Sequence, residues 1–242
     1  MELFPIVILA GGMATRLHPL TEKIPKALVK IAGEPFIAHQ LRMLKKKGFS
    51  KIVMCVWYRV EMIQEFVGDG SSFGLTIAYS IDGEHPLGTA GAIRKAFPLL
   101  PDTFFVLYGD SYLLIDYENI QNKFIESNKP GLMTILRNNG LWDKSNVEYK
   151  NGSIVCYDKK NTNENMKYID YGLGVFKKSV FSQLEVNKNY DLADIYQMLI
   201  RNNELTSTIM SKRFYEVGSF QGIKELDQLL RVEKEKNGTN IH

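Results

Sequence analysis

Within the first 108 residues, apolar runs of strand length alternate with helical patterns, and that order leaves few architectures open to the chain. Residues 6–10, Ile-Val-Ile-Leu-Ala, read as a buried strand. Residues 35–47 place Phe36, Ile37, Leu41 and Leu44 at helical spacing, and Gly48 follows as a stop. Strands are expected at 51–56, 75–79 and 103–108, with helices at 61–67 and 88–97 between them. A β-α-β-α sequence of this kind predicts a mostly parallel sheet with helices on both faces. Ligands of such sheets gather beyond the C-terminal ends of the strands.

After residue 130 the texture changes. Strands are expected at 132–137, 147–149 and 154–157, with Asn151-Gly152 a strong hairpin signal between the last two. A polar loop at 161–165 precedes a strand at 168–176 that returns to the sheet, then helices at 192–201 and 220–233. The expected organisation is one domain over 1–234, whose second half, from about 131, is an antiparallel portion, followed by a flexible tail at 235–242.

Thirty basic residues against 27 acidic ones leave +3, too balanced for a nucleic-acid partner. Cys55 and Cys156 make no disulfide framework and read as buried reduced thiols, and the four histidines have no metal-binding spacing. No signal peptide, membrane-spanning run or lipidation motif is visible, so the expected location is the cytoplasm, without a membrane partner. Self-association as a homo-oligomer stays open.

The strand at 6–10 empties into Gly11-Gly12-Met13-Ala14-Thr15-Arg16, and Pro25-Lys26 returns a second cation nearby. Glycines let the backbone approach phosphates closely, so main-chain N–H groups can form an anion-binding concavity. Arg16 and Lys26 add fixed positive charge, the arrangement by which a chain grips a nucleoside triphosphate. It is neither a Walker A loop nor the G-x-G-x-x-G fingerprint.

Residues 8–17, Ile-Leu-Ala-Gly-Gly-Met-Ala-Thr-Arg-Leu, followed by Pro25-Lys26-Ala27-Leu28, resemble the signature of the sugar-phosphate nucleotidylyltransferases. The likeness continues in the family's order through Gly68-Asp69-Gly70, Pro86-Leu87-Gly88-Thr89-Ala90-Gly91 and Gly109-Asp110 to Gly218, about the whole chain. It implies a Rossmann-like α/β three-layer sandwich around a mostly parallel mixed sheet, with an antiparallel substrate-binding portion. In that fold the nucleotide belongs to the half up to about residue 130 and the sugar to the other. The implied reaction joins a sugar 1-phosphate to a nucleoside triphosphate and releases pyrophosphate.

The compact length and the Pro-Leu-Gly-Thr-Ala-Gly stretch are most similar to bacterial heptose 1-phosphate guanylyltransferases. Uridylyltransferases for amino-sugar or glucose 1-phosphates come close behind, and mannose 1-phosphate enzymes share the core. A phosphocholine cytidylyltransferase is a more distant option. A non-catalytic nucleotide-sugar sensor is the rival of a different class. Two departures keep the sensor in view. Ala14 stands where the family usually has glycine and fits poorly if φ must be positive there, and Glu216 in Glu216-Val217-Gly218-Ser219 stands where the family has aspartate.

The phosphate nucleophile is already ionised at neutral pH, so the chemistry needs positioning and charge neutralisation rather than a general base. The resemblance assigns Mg2+ to Asp110 and Glu216, phosphate contacts to Lys26, and the departing pyrophosphate to Arg16. Leu9, Gly11, Gly12, Met13, Ala14 and Thr15 are expected against the nucleotide. Gly88 and Thr89 should open a helix near base and ribose, with its N-terminus free to donate. Asp82 and Glu84 lie just upstream, with Glu84 carried as the base reader. One carboxylate can accept both N1–H and N2–H of guanine but only one donor of uracil, so an acidic reader favours GTP. On the sugar side, Asp158-Lys159-Lys160 resembles the family's Glu-Lys-Pro stretch and gives Lys159 the sugar phosphate. Asp170 and Gly172 match its Asn-x-Gly segment, with Glu148 joining from the preceding hairpin.

Overall fold

The structure is a computed structural model that describes residues 2–238. In chain order the N-terminal elements are β1 (Ile6–Leu9), β2 (Lys30–Ile31), β3 (Glu34–Pro35), α1 (Phe36–Lys46), β4 (Lys51–Val56), α2 (Val60–Val67), β5 (Thr76–Ile81), α3 (Gly88–Lys95) and β6 (Thr103–Tyr108). Next come β7 (Ser111–Tyr112), α4 (Tyr117–Ser127), β8 (Gly131–Arg137), β9 (Val147–Lys150), β10 (Ser153–Tyr157) and β11 (Tyr168–Lys177). The chain closes with α5 (Leu192–Arg201), β12 (Leu205–Met210), β13 (Tyr215–Glu216) and α6 (Phe220–Gly238).

One nine-stranded sheet spans both halves of the chain. β5, β4, β1 and β6 pair in parallel in that spatial order. β11 then runs antiparallel to β6 through Leu173–Lys177 and antiparallel to β8 on its other edge, and β12 pairs in parallel with β8. The hairpin β9–β10 joins the start of β11 where Val147 pairs with Tyr168. Its turn residues Asn151 (φ 52°) and Gly152 (φ 83°) are both left-handed, as a two-residue I′ turn requires.

Alternate residues of the central strands feed two cores, which is why these strands read as continuous apolar runs. Ile6, Ile8, Met54, Phe105 and Leu107 pack on one face with α1, α2, α4 and α6; Val7, Val53, Phe104 and Val106 pack on the other with α3 and α5. The result is the expected three-layer α/β arrangement. α6 extends further than expected: the helix continues through residues 235–238, and 239–242 lie outside the described residues.

α6 is tied back to the β2–β3 hairpin. Asp227 Oδ1 accepts from Ala32 N at 2.6 Å, and Lys234 Nζ donates to Ala32 O at 3.0 Å and to Glu34 at 2.8 Å. Hydrogen bonds from Lys234 and then Arg42 hold the Glu34 carboxyl at about 2, below its ordinary 4.5. The depressed value means that Glu34 adds stability above the ordinary value and loses it as pH falls from 4.5 towards 2. The group is partly solvated, so its worth is under about 1 kcal/mol. Glu34→Gln is therefore expected to lower the melting temperature by about 2 °C at neutral pH. In a melting series with pH, that gap should close below pH 4.5; a gap constant down to pH 2 would refute the linkage.

Candidate active site

β1 lies between β4 and β6, so the chain winds away from it in both directions and leaves a crevice at its C-terminal end. A cavity of about 430 Å³ occupies that crevice. Its floor is Leu9, Ala10, Cys55 and Gly109 at the strand ends, and its wall is Asp82, Pro86, Gly88, Thr89 and Ala92. A second, more open cavity of about 780 Å³ lies towards the C-terminal half. Lys26, Tyr108, Asp110 and Lys159 line both and so mark their junction.

The glycine loop straddles this junction. Gly11 and Gly12 line the first cavity, and Ala14, Thr15 and Arg16 the second; Met13 lines neither and is exposed. Ala14 has φ 51° and ψ 46°, the left-handed conformation that glycine tolerates better, so the alanine costs about 1 kcal/mol. Its carbonyl accepts from Leu17 N at 3.0 Å and from Thr21 Oγ1 at 2.8 Å, which hold the turn. Among the described residues no hydrogen bond engages the N–H groups of Gly11, Gly12, Met13 or Ala14, leaving a concave run of donors.

At the junction, Lys26 Nζ donates to Asp110 Oδ2 at 2.8 Å. Asp110 follows β6 after Gly109, which lets β6 end against β1: a Cβ at Gly109 would lie 2.4 Å from Leu9 O. Glu216, on the short strand β13 beside β7, approaches from the other side. A Cβ on Gly218 would meet Glu216 Oε2 at 2.9 Å, Asp110 Oδ2 at 3.2 Å and Lys26 Nζ at 3.6 Å, so two carboxylates and one ammonium converge on one point.

The extra methylene of Glu216 is absorbed locally. Its carboxylate folds onto the start of α6, accepting from Gly218 N and from Ser219 Oγ, and Ser219 Oγ accepts from Gly222 N at 2.9 Å. A Cβ on Gly222 would fall 1.9 Å from Glu216 Oε1 and 2.4 Å from the Glu216 backbone oxygen, so the backbone contact keeps a glycine at 222 and the carboxylate fills the space it leaves.

Three expectations change. Glu84 is exposed and lines neither cavity; Asp82, 8% exposed, is the acid in the wall of the first cavity. Asp82 Oδ2 accepts from Leu87 N at 2.9 Å, while Oδ1 is buried with no partner, and burial pushes the carboxyl upward. The N-terminal turn of α3 is not free, because the N–H groups of Ala90 and Gly91 donate to Tyr190 O at 2.9 and 3.3 Å. Gly88 and Gly91 serve that contact: Cβ atoms there would lie 2.5 Å from Tyr190 O and 2.3 Å from Lys188 O. Glu148 sits on β9 opposite Cys156 and lines neither cavity.

Lys159, Asp170 and Gly172 do reach the second cavity. The sequence reading missed Tyr108, whose place beside Gly109-Asp110 was the available signal, and the 138–146 loop, which brings Asp143, Lys144 and Asn146 to the same cavity. That loop is folded by Asn138, which donates to Asp143 O at 2.6 Å and accepts from Trp142 N at 3.0 Å.

A family model described as nucleotidyl transferase matches residues 6–232. A D-glycero-alpha-D-manno-heptose 1-phosphate guanylyltransferase from Campylobacter jejuni is 26% identical, over 88% of this chain and 93% of that protein. An N-acetylmuramate alpha-1-phosphate uridylyltransferase from Neisseria meningitidis is 28% identical, over 92% of this chain and 96% of its own length. Some longer relatives are matched over 54 to 60% of theirs. The crystal structure of HddC from Yersinia pseudotuberculosis complexed with GMP-PN superposes with a TM-score of 0.76 at 22% identity, covering 94% of this chain and all of that one, a likeness of fold.

Proposed function

Since the chain belongs to the nucleotidyl transferase family, we propose that it transfers a nucleotidyl group from GTP to a heptose- or mannose-type sugar 1-phosphate. The observation that carries the choice of base is Asp82, a buried carboxylate with an unpartnered oxygen in the wall of the first cavity. Guanine offers two adjacent donors to such a group, and the names of the Campylobacter relative and of a longer mannose-1-phosphate guanyltransferase point the same way.

In this reading the first cavity holds base and ribose, and the triphosphate crosses the junction along the free N–H groups of the glycine loop. Arg16 takes the β- and γ-phosphates and Lys26 the α-phosphate, while Lys159 holds the sugar phosphate in the second cavity. An oxygen of the sugar phosphate forms a bond to the α-phosphorus as the bond to the β-phosphate oxygen breaks, and pyrophosphate leaves with its electron pair. No side chain needs to remove a proton.

Mg2+ fits the residues present. Asp110 and Glu216 converge beside Gly218, and two carboxylates plus phosphate oxygens make a donor set that Mg2+ accepts. No third His, Cys, Asp or Glu joins them among the described residues, so phosphate would complete the site. The metal would supply charge neutralisation at the phosphates.

The test is a matrix of pyrophosphate release with Mg2+, crossing GTP, UTP, CTP, ATP and dTTP with heptose, mannose, glucose and amino-sugar 1-phosphates. One dominant combination, GTP with a manno-configured sugar, is the expected result. UTP with an amino-sugar or glucose 1-phosphate would overturn the choice of substrate. A blank matrix from protein that still binds nucleotide would make it a sensor.

A further inference from the structure

Lys26 and Lys159 meet at the junction of the two cavities, yet they are held in different ways. Lys26 donates directly to the Asp110 carboxylate. Lys159 donates to a hydroxyl instead: its Nζ lies 3.3 Å from Tyr108 Oη, and Tyr108 Oη in turn donates to Asp170 Oδ2 at 3.1 Å. The ammonium also stands 5.1 Å from the centre of the Tyr108 ring and 5.7 Å from that of Tyr157, within cation–π range of both.

Asp170 is itself fixed from several sides. Oδ2 accepts a second hydroxyl, from Tyr157 at 2.8 Å, and Oδ1 accepts from Gly172 N at 3.0 Å. Its own N–H donates to Asn146 Oδ1 at 2.9 Å. The pairing of β11 with β8 slips between Asp170 and Gly174, and Gly172 takes φ +92° in that bulge. A Cβ on Gly172 would lie 2.7 Å from Ser111 Oγ, so the bulge that aims Asp170 at the tyrosines depends on glycine. Both tyrosine hydroxyls meet the same carboxylate oxygen, which can only accept, so both are donors to Asp170.

We propose that Tyr108 and Asp170 form a positioning relay for Lys159: the carboxylate orients the Tyr108 hydroxyl, whose lone pair faces the ammonium and fixes it at the cavity junction. A direct carboxylate–ammonium pair would fix the lysine equally well but would spend its charge. With a hydroxyl interposed, the ammonium keeps two N–H donors and most of its charge for an anionic group of the second substrate. Asp170 thereby acts through Lys159 instead of reading a sugar hydroxyl itself. This deepens the proposed function, since it rests on Lys159 being the sugar-phosphate ligand.

The test compares Tyr108→Phe, Tyr157→Phe and Lys159→Met, the first two keeping the aromatic ring. In steady-state assays Tyr108→Phe should raise KM for the sugar 1-phosphate by about tenfold, the loss expected when a hydrogen bond to a charged group is removed. The direction should be that of Lys159→Met, and KM for the triphosphate should move far less. Tyr157→Phe leaves the Lys159–Tyr108–Asp170 chain intact and should change the sugar 1-phosphate KM by under about threefold. An unchanged KM in Tyr108→Phe, or equal losses in the two phenylalanine variants, would overturn the relay. A second arm needs no turnover: calorimetric titration with inorganic orthophosphate. The affinity that Lys159→Met removes should also be lost in Tyr108→Phe. If Tyr108→Phe keeps it, or Lys159→Met removes none, the relay falls, whether or not the matrix has found a sugar substrate.

Discussion

Asp110→Asn is expected to lower kcat by about a thousandfold, the scale on which removing one electrostatic contact from a transition state is felt. The side chain keeps its shape, so the change acts on charge. Asp110 lies just past the end of the central strand β6 and converges with Glu216 beside Gly218, with Lys26 as its present partner. The substitution would halve the anionic charge offered to a divalent ion. It would also leave Lys26 without its ion pair, 20% exposed at the junction. Stability should change little, because the pair is partly solvated and worth under about 1 kcal/mol. The check is kcat at saturating substrates with a thermal melt of the same sample, and an Mg2+ titration of rate that shifts to higher concentration. Activity within tenfold of the parent, in a protein that melts normally, would mean that the chemistry happens elsewhere.

The second large effect belongs to Asp82→Asn, which should lower kcat/KM for GTP by about a hundredfold, as loss of hydrogen bonds to a charged acceptor implies. The amide oxygen can keep the bond from Leu87 N, and that orientation puts the NH2 group in the place of the unpartnered Oδ1. Two donors would then face the two donors of guanine, a repulsion in place of an attraction. UTP should lose much less, so the ratio of the two triphosphates is the quantity to measure. Glu84→Ala is the control and should leave that ratio unchanged, since Glu84 is exposed outside both cavities. Because burial raises the Asp82 carboxyl, GTP affinity should also weaken on acidification at a higher pH than for an exposed aspartate. An unchanged GTP-to-UTP ratio in Asp82→Asn would remove the carboxylate from base choice.

The parallel half of the sheet was legible because β1, β4 and β6 are apolar on both faces and α1 and α2 each carry an apolar stripe. α4 escaped notice: Tyr117, Ile120 and Phe124 are its apolar core residues, the fourth buried position is the polar Gln121, and Ile125 lies on the exposed side. Its cap was visible, since Asp116 accepts from Asn119 N as an N-cap aspartate does. β12 was missed because Thr206 and Ser207 interrupt its apolar pattern, and its place beside β8 comes from tertiary pairing. At the site, positions following a strand end could be read locally: Gly11, Gly12 and Asp110 lie where the β-α order puts them. Residues recruited across the chain could not. Nothing local distinguishes Asp82 from Glu84, two residues apart, except which one the turn before α3 buries. Glu148 failed for a related reason: a strand residue faces one side or the other, and its neighbour Val147 took the buried side.

The contact between Tyr190 and the start of α3 bears on how such chains can be recombined. The start of α3, which walls the first cavity, is backed by a backbone segment from the other half of the chain, lodged against Gly88 and Gly91 with no room for a side chain. Thr89 adds to the joint, as its hydroxyl accepts from Leu192 N at 2.7 Å, the first residue of α5. A chimera that grafts a relative's second half onto residues 1–130 would therefore import a foreign backing for α3 along with a new second cavity. Crossover points that keep residues 188–192 with their native α3 would let the second cavity be exchanged while the first stays as it is.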